Sequence, residues 1–349
     1  MKFLELYGVK KIKIYFNQIK SKNSPKKYNN INELFSSKKI YKLSSIAFLI
    51  GTTLTFPLIW LELTLDVFNM DQIIWGNIVI YSLAIIGLVG LEFYLLFLLG
   101  FYSVAYYIYH ITTMKDLNHN QIEDEKVLIS LSRIIMELPE HKEHNNSFNI
   151  IHQNQQDKGL FLWTILYKVK VVVSNFLLKF IARKVLAKTS FRVYSPYIAT
   201  LGTGIWDGIV FYIGIRNVQH KIMVRYSIEK LLIENLDILQ KEDTIKAILY
   251  RYDIYGEFNA NMHYLLEELF LPSSSKIEKP EYSNIKYIEN LPKELQVILF
   301  ATKNKYQNKR ERDIIKKLGI SKDITLYNKH LTNGNTSFID NKIKKLKDY

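Results

Sequence analysis

The sequence predicts an all-helical integral membrane protein, and its charge distribution and hydrophobic pattern support this fold class. Residues 1–42 hold 11 Lys against two Glu, whereas residues 43–114 hold four acids and no Lys or Arg. No run of alternating apolar residues is bounded by hairpin signals, so we expect helices only. The 349 residues are 48% hydrophobic and include no cysteine. This composition excludes a disordered chain, a disulfide framework, a thiolate nucleophile and a Cys-ligated metal site.

Two spanning helices are predicted within residues 43–114. Leu43–Leu61 is 19 residues without a charge, about the length that crosses a hydrocarbon core of roughly 30 Å. Ile73–Met114 is interrupted only by Glu92 and has no turn-forming cluster, so we expect one long helix. Trp60 and Trp75 then lie at one level, where indole rings anchor helices at the membrane–water interface.

The orientation of these helices follows from the distribution of Lys and Arg. The 42 residues before the first span carry a net charge of +9, whereas the loop Glu62–Gln72 holds three acids and no base. Segments rich in Lys and Arg stay on the cytoplasmic side. We therefore expect the N-terminus and Lys115 in the cytoplasm.

A third membrane segment is predicted at Val193–Ile215, with Asp207 as its one charge. Basic residues flank it on both sides, which favours a re-entrant hairpin turning near Gly202 and Gly204, or an interfacial helix. A full span, which would leave the C-terminal part outside, is the alternative. The same segment pairs Gly204 with Gly208 at i and i+4, a small-residue face that lets another helix approach closely.

The remaining regions are predicted to be helical and soluble or interfacial. Residues 1–42 begin with an amphipathic helix that lies on the anionic inner leaflet or docks on the rest of the protein. Residues 115–192 hold a helix at 120–138, a polar loop and an interfacial helix at 159–188. Residues 216–320 predict a soluble domain that has a long helix over 216–255 and Gly319 as a helix C-cap. Residues 321–349 are rich in Lys, Asn and Thr and predict a loose polar tail.

Two carboxylates are candidate intramembrane functional residues, Glu92 and Asp207, because charges at membrane depth are rare. They could relay protons or cations. Alternatively Glu92 lies above the leaflet and Asp207 pairs between helices.

Metal and enzyme chemistry have little support in the sequence. His141, His144 and His152 lie in a polar segment, and His263 precedes Glu267 by one helical turn. Neither group supplies four converging ligands. The run Gly202–Gly208 matches neither a dinucleotide fingerprint nor a P-loop, and no hydrolase or kinase motif is present. We expect no metal, no cofactor and no catalysis.

Lipid head groups are the polyanion that the charge favours. The chain carries +14, but 39 of its 47 basic residues are Lys, whereas recognition of phosphates and bases favours Arg. We therefore expect contact with anionic head groups and no nucleic acid.

Two stretches resemble an uncharacterised family of bacterial integral membrane proteins. One is IWDGIVFYIGIRNVQHKIMVRYSIEKLL, Ile205–Leu232, and the other is ILYRYDIYGEFNANMHYLLEEL, Ile248–Leu269. The resemblance implies a bacterial inner (cytoplasmic) membrane and no activity, cofactor or catalytic residue. The sequence as a whole predicts a membrane-anchored helical scaffold or binding component with a protein partner or a second copy of itself. An ion- or proton-conducting component is the alternative.

Overall fold

The structure is a computed structural model. It describes residues 2–22, 31–35, 37–65, 75–112, 125–138, 195–255, 259–270, 285–301 and 309–348. These residues are helical, and no strand occurs among them, which confirms the predicted all-helical class. The elements are α1 (Lys2–Lys22), α2 (Ile31–Leu34), α3 (Ser37–Thr64), α4 (Trp75–Thr112), α5 (Glu125–Ile135), α6 (Ser195–Leu239), α7 (Glu242–Tyr255), α8 (Ala260–Phe270), α9 (Lys286–Glu289), α10 (Lys293–Phe300), α11 (Lys309–Lys317), α12 (Ser321–Thr332), α13 (Thr336–Lys344) and a 3₁₀ turn (Lys345–Asp348).

Two of these helices are long and apolar enough to cross a membrane. They are Lys38–Leu61 within α3 and the whole of α4, which confirms the two predicted apolar helices. The helix α4 runs unbroken over 38 residues, about 57 Å at 1.5 Å per residue. Pro57 lies inside α3 without ending it, since neighbouring helices can compensate for the hydrogen bond that a proline removes.

The described residues divide into two compact units. The first unit contains α3, α4 up to Ser103 and α6 up to Ile215. The second contains α1, α2, α5, the remainders of α4 and α6, and every element from α7 onwards. In the second unit α1 packs on α5, α5 on α8, α7 on α8 to α11, and α10, α12 and α13 on one another.

The re-entrant turn expected near Gly202 and Gly204 is wrong. The helix α6 runs from Ser195 to Leu239 and passes through both glycines with helical backbone. Glycine is permitted in a helix at a cost of about 1 kcal/mol relative to alanine, so the glycines alone do not force a turn. The one departure from helical geometry in α6 is a kink at Asn235, whose side-chain amide donates to the carbonyl of Ile343 at 3.2 Å.

Two further sequence expectations need correction. The long helical pattern over 216–255 is broken after Leu239, and α7 begins at Glu242. Residues 321–349 do not form a loose tail, since α12, α13 and the 3₁₀ turn occupy 321–348. Six apolar side chains in this region are buried, and their burial holds the segment in place: Ile324, Tyr327, Leu331, Ile339, Ile343 and Leu346.

Other expectations fall outside the described residues. They are the interfacial helix at 159–188, the polar loop before it, the first residues of the 120–138 helix, and the candidate ligands His141, His144 and His152. The described part of the 120–138 prediction is α5, which begins at Glu125.

Candidate functional site

The helices α3 and α6 run antiparallel in the first unit. The ring of Tyr41 stacks on Tyr212, with centroids 5.6 Å apart, and Phe56 contacts Tyr197 at 6.1 Å. Residue numbers therefore rise along α3 as they fall along α6. The two helices face each other along their length over the first unit.

Small and hydroxyl-bearing residues form the contact between these helices, here called the α3–α6 interface. It is defined by Ser44, Phe48, Gly51 and Thr52 on α3 and by Gly204, Asp207 and Gly208 on α6. Thr52 and Thr55 donate to the carbonyls of Phe48 and Gly51 four residues earlier, so these hydroxyls are satisfied without a second helix. Small residues of this kind are what allow helix backbones to approach closely in lipid.

Both predicted packing glycines lie at this interface. A Cβ added at Gly204 would overlap Thr52 Oγ1 and lie 2.7 Å from the backbone oxygen of Phe48. A Cβ at Gly208 would lie 3.3 Å from the backbone oxygen of Ser44. Gly204 therefore allows no side chain without movement of α3, whereas Gly208 is a tight but milder contact.

Asp207 lies on the same face of α6, half-buried against Gly51. A Cβ at Gly51 would overlap Asp207 Oδ2 and would be 3.3 Å from the Cα of Gly204. The absence of a side chain at Gly51 thus provides the room that the Asp207 carboxylate occupies. The candidate carboxylate contacts a helix–helix interface and helps to shape it.

Glu92 is half-buried on α4, and the two candidate anchors are exposed. Glu92 lies 17 residues after Trp75, about 26 Å along the helix. The side chains of Trp60 and Trp75 are 67% and 75% exposed. The Asn77 amide donates to the carbonyl of Leu65 at 2.8 Å, which joins the start of α4 to the end of α3.

The second unit buries several charged groups as ion pairs, which single-sequence reasoning missed. The Arg133 guanidinium on α5 donates to Glu5 on α1, with both side chains almost fully buried. Arg251 on α7 donates to Glu311 on α11 at 2.8 Å, and both are fully buried. An Arg or Glu within an amphipathic pattern resembles a solvent-exposed residue, so only the three-dimensional packing identifies these pairs.

Polar side chains of α6 link it to α5, α8 and α12. Lys221 donates to Ser130 on α5, and its backbone carbonyl accepts from the Asn261 amide on α8 at 2.9 Å. Arg225 donates to Glu229 at 2.8 Å and lies over the ring of Tyr264. Lys221 and Arg225 therefore join α6 to α5 and α8.

A buried histidine, His220, belongs to the same helix. Its Nε2 lies 2.9 Å from Oδ1 of Asn328 on α12. Burial lowers the pKa of His220 to about 4; the Asn328 hydrogen bond opposes this shift, and the nearby Lys221 charge adds to it. The ring is therefore neutral at physiological pH.

The second histidine candidate, His263, is buried on α8 next to Glu267, with Nε2 and Oε1 3.1 Å apart. Glu267 also accepts from Lys126 on α5. No group of three or more His, Asp or Glu side chains with metal-binding geometry occurs in the part of the chain that the structure describes. Glu267 thus connects α8 to α5 through Lys126, and His263 contacts Glu267 within α8.

No family model, curated protein or solved structure matches this chain.

Proposed function

We propose that the protein is a membrane-anchored binding component of a bacterial inner membrane. In this proposal α3, α4 and the first part of α6 lie in the bilayer. The helical second unit is cytoplasmic, where it binds a partner.

The observation that carries the proposal is the reversed polarity of the first unit. The close contacts between α3 and α6 involve Gly51, Gly204 and Gly208, whereas many large apolar side chains of the unit are exposed. The exposed apolar residues include Leu49, Phe56, Val79, Leu83, Ile86, Leu201, Ile205 and Ile209. A soluble protein rarely exposes an apolar surface of this extent, whereas lipid tails solvate it at no cost.

The antiparallel contact supports α6 as a third span. Tyr197 and Tyr212 face Phe56 and Tyr41, so α6 covers the same depth as the apolar part of α3. With the N-terminus cytoplasmic by the distribution of Lys, α6 enters from the outer side and its C-terminal end is cytoplasmic.

Basic residues flank the third segment on both sides, but a single span can place only one flank in the cytoplasm. A span that starts outside places the C-terminal flank there, with Arg216, Lys221 and Arg225. The same topology places Glu92 near the inner edge of a hydrocarbon core of about 30 Å, if Trp75 marks the outer edge.

Intramembrane depth also supports a second candidate, a proton- or cation-conducting role for Asp207. Its carboxylate lies against Gly51, near the middle of the apolar stretch Lys38–Leu61. The test is flux through liposomes that contain purified protein: loss in Asp207→Asn, with flux retained in Glu92→Gln, would favour conduction through the α3–α6 interface. Absence of flux in the parent protein would contradict conduction and would be consistent with the anchoring role.

Single cysteines test the membrane anchor, because the natural chain has none. Gly76 and Gly87 lie on α4, and a Cβ at either position meets nothing within 4 Å. We expect a membrane-impermeant maleimide to label Gly76→Cys on intact cells and Lys22→Cys only after permeabilisation. Gly87→Cys should resist the reagent in membranes on either side and react after detergent is added. Reaction of Gly87→Cys in intact membranes would contradict insertion.

A further inference from the structure

The helices α11 and α12 follow each other across a tight turn and form a helix–turn–helix. Three residues join them, Leu318, Gly319 and Ile320, and Gly319 has φ of +67°. The turn is closed by hydrogen bonds from Gly319 N to Lys316 O at 3.1 Å and from Ile320 N to Ile315 O at 3.4 Å. This is the Schellman arrangement, in which a left-handed glycine ends one helix and the chain leaves in a fixed direction.

The apolar sides of both helices are used inside the second unit. Ile314 and Ile315 of α11 are buried, as are Ile320 in the turn and Ile324, Tyr327 and Leu331 of α12. Tyr327 bonds Ser227, and the α12 carbonyl of Thr332 accepts from Arg216. The fold therefore fixes which face of α12 is presented to solvent.

The presented surface is strongly basic. From Lys309 to Thr332 seven basic side chains are exposed against one exposed carboxylate, that of Asp313. The basic residues are Lys309, Arg310, Arg312, Lys316, Lys317, Lys322 and Lys329. Of these, Lys317 pairs with the exposed Glu289 at 2.8 Å. Of the two other acids, Glu311 is buried with Arg251, and Asp323 pairs with Lys293 at 2.9 Å.

We propose that this helix–turn–helix, α11–Gly319–α12, binds double-stranded DNA, with α12 in the major groove. The exposed face of α12 carries Ser321, Lys322, Thr325, Leu326 and Lys329. Lysine and hydroxyl groups hydrogen-bond to base edges, and an apolar side chain contacts the thymine methyl. The basic α11 then contacts the phosphate backbone, which is the role of the first helix in such motifs.

An anionic membrane surface fits this patch less well. A helix that lies in the interface buries a broad apolar face in lipid, but those faces of α11 and α12 are already buried in the protein. Leu326 is the one large apolar side chain exposed on α11 and α12. The composition of the whole chain favoured lipid over nucleic acid, yet α11 exposes two of the eight arginines of the chain.

The proposal names a partner for the cytoplasmic unit, so in the cell it rests on the proposed topology. Its test does not. Full-length protein in a neutral detergent is titrated into a fluorescein-labelled 30-base-pair duplex of mixed sequence, and anisotropy is measured between 50 and 200 mM KCl. Failure of membrane insertion would leave duplex binding in this assay unchanged.

Two charge-reversal variants distinguish DNA binding by the α12 surface from non-specific attraction to the positive charge of the protein. Lys322→Glu with Lys329→Glu alters α12, whereas Lys344→Glu with Lys345→Glu makes the same charge change at exposed positions after it. We expect the parent to bind with an affinity that falls about tenfold or more over this salt range. The α12 variant should bind at least about tenfold more weakly at 100 mM KCl, and the control within about threefold of the parent.

A third variant tests whether a loss of binding can occur without a loss of folding. Ser321→Glu places an acid in the first turn of α12, where the helix dipole stabilises it, so its melting temperature should not fall while duplex binding does. The proposal is overturned if the parent does not bind at 50 mM KCl, or if the α12 and control variants weaken binding equally. It is also overturned if the α12 variant loses binding to phosphatidylglycerol vesicles but keeps binding to the duplex.

Discussion

Gly204 is the residue on which the close approach of α3 and α6 most depends. An alanine there would place its methyl 2.7 Å from the Phe48 carbonyl, so backbone has to move. We expect Gly204→Ala to lower the free energy of unfolding by about 1 to 3 kcal/mol, as overpacked cores do. Gly214→Ala, on the same helix with nothing within 4 Å of the new Cβ, is the control and should be neutral or slightly stabilising. Melting temperatures in detergent compare them, and equal shifts would mean that the interface is not tightly packed.

His220 makes stability depend on pH in a direction that its burial fixes. Its folded pKa of about 4 lies below the ordinary 6.5, so the unfolded chain takes up a proton first as the pH falls. Stability is therefore constant above pH 6.5 on this account and declines towards pH 4, by roughly 3 kcal/mol. We expect His220→Gln to flatten the melting temperature between pH 6.5 and 4. The matched variant His330→Gln should change that profile less, because the His330 ring is only partly buried; identical profiles for His220→Gln and the parent would contradict the assignment.

At the residue level, a local sequence pattern can indicate a helix face or a helix end. The spacing of Gly204 and Gly208 marks one helix face, and the position of Gly319 after a helical pattern marks a C-cap. The contact of Asp207 with Gly51 joins residues more than 150 positions apart, and no local pattern records it. The same holds for His220 and Asn328.

Among the elements, α7 and α11 are joined by a buried ion pair. Arg251 and Glu311 are both fully buried, and the guanidinium also lies 4.6 Å from the centre of the Phe300 ring. Removing one partner leaves the other charge buried, which costs about 3 to 5 kcal/mol. We expect Arg251→Ala to lower stability by that amount, measured by thermal or denaturant unfolding. Lys246→Ala breaks the ion pair with Glu242 on the surface of α7 and should lower stability much less, because solvent screens an exposed pair. Comparable losses in both variants would contradict a structural role for the buried pair.

Helix existence was easier to predict than helix ends. The apolar runs of α3 and α4 identified both helices, because a stretch of that length has few alternatives. The segment 321–349 was misjudged because Lys, Asn and Thr dominate its composition. Its apolar residues nevertheless recur at helical spacing, at Ile324, Tyr327 and Leu331 and then at Ile339, Ile343 and Leu346. Periodicity was the signal that could have found these helices.

At the scale of the whole molecule, the polarity of the two units is opposite. The second unit buries apolar residues together with paired charges, as a water-soluble domain does. The first unit exposes its apolar residues and packs through small ones. Sequence alone could not decide how Val193–Ile215 lies, since basic residues flank both ends and charge rules then give no orientation. The antiparallel pairing with α3 supports the orientation that we propose.

The central claim is that α6 crosses the bilayer with its N-terminal end outside. The most direct measurement is labelling of Tyr197→Cys, at the exposed start of α6, and of Lys241→Cys, just after its end, by a membrane-impermeant maleimide. We predict that Tyr197→Cys reacts on intact spheroplasts and that Lys241→Cys reacts only after permeabilisation. Reaction of both cysteines from the same side would contradict a spanning α6.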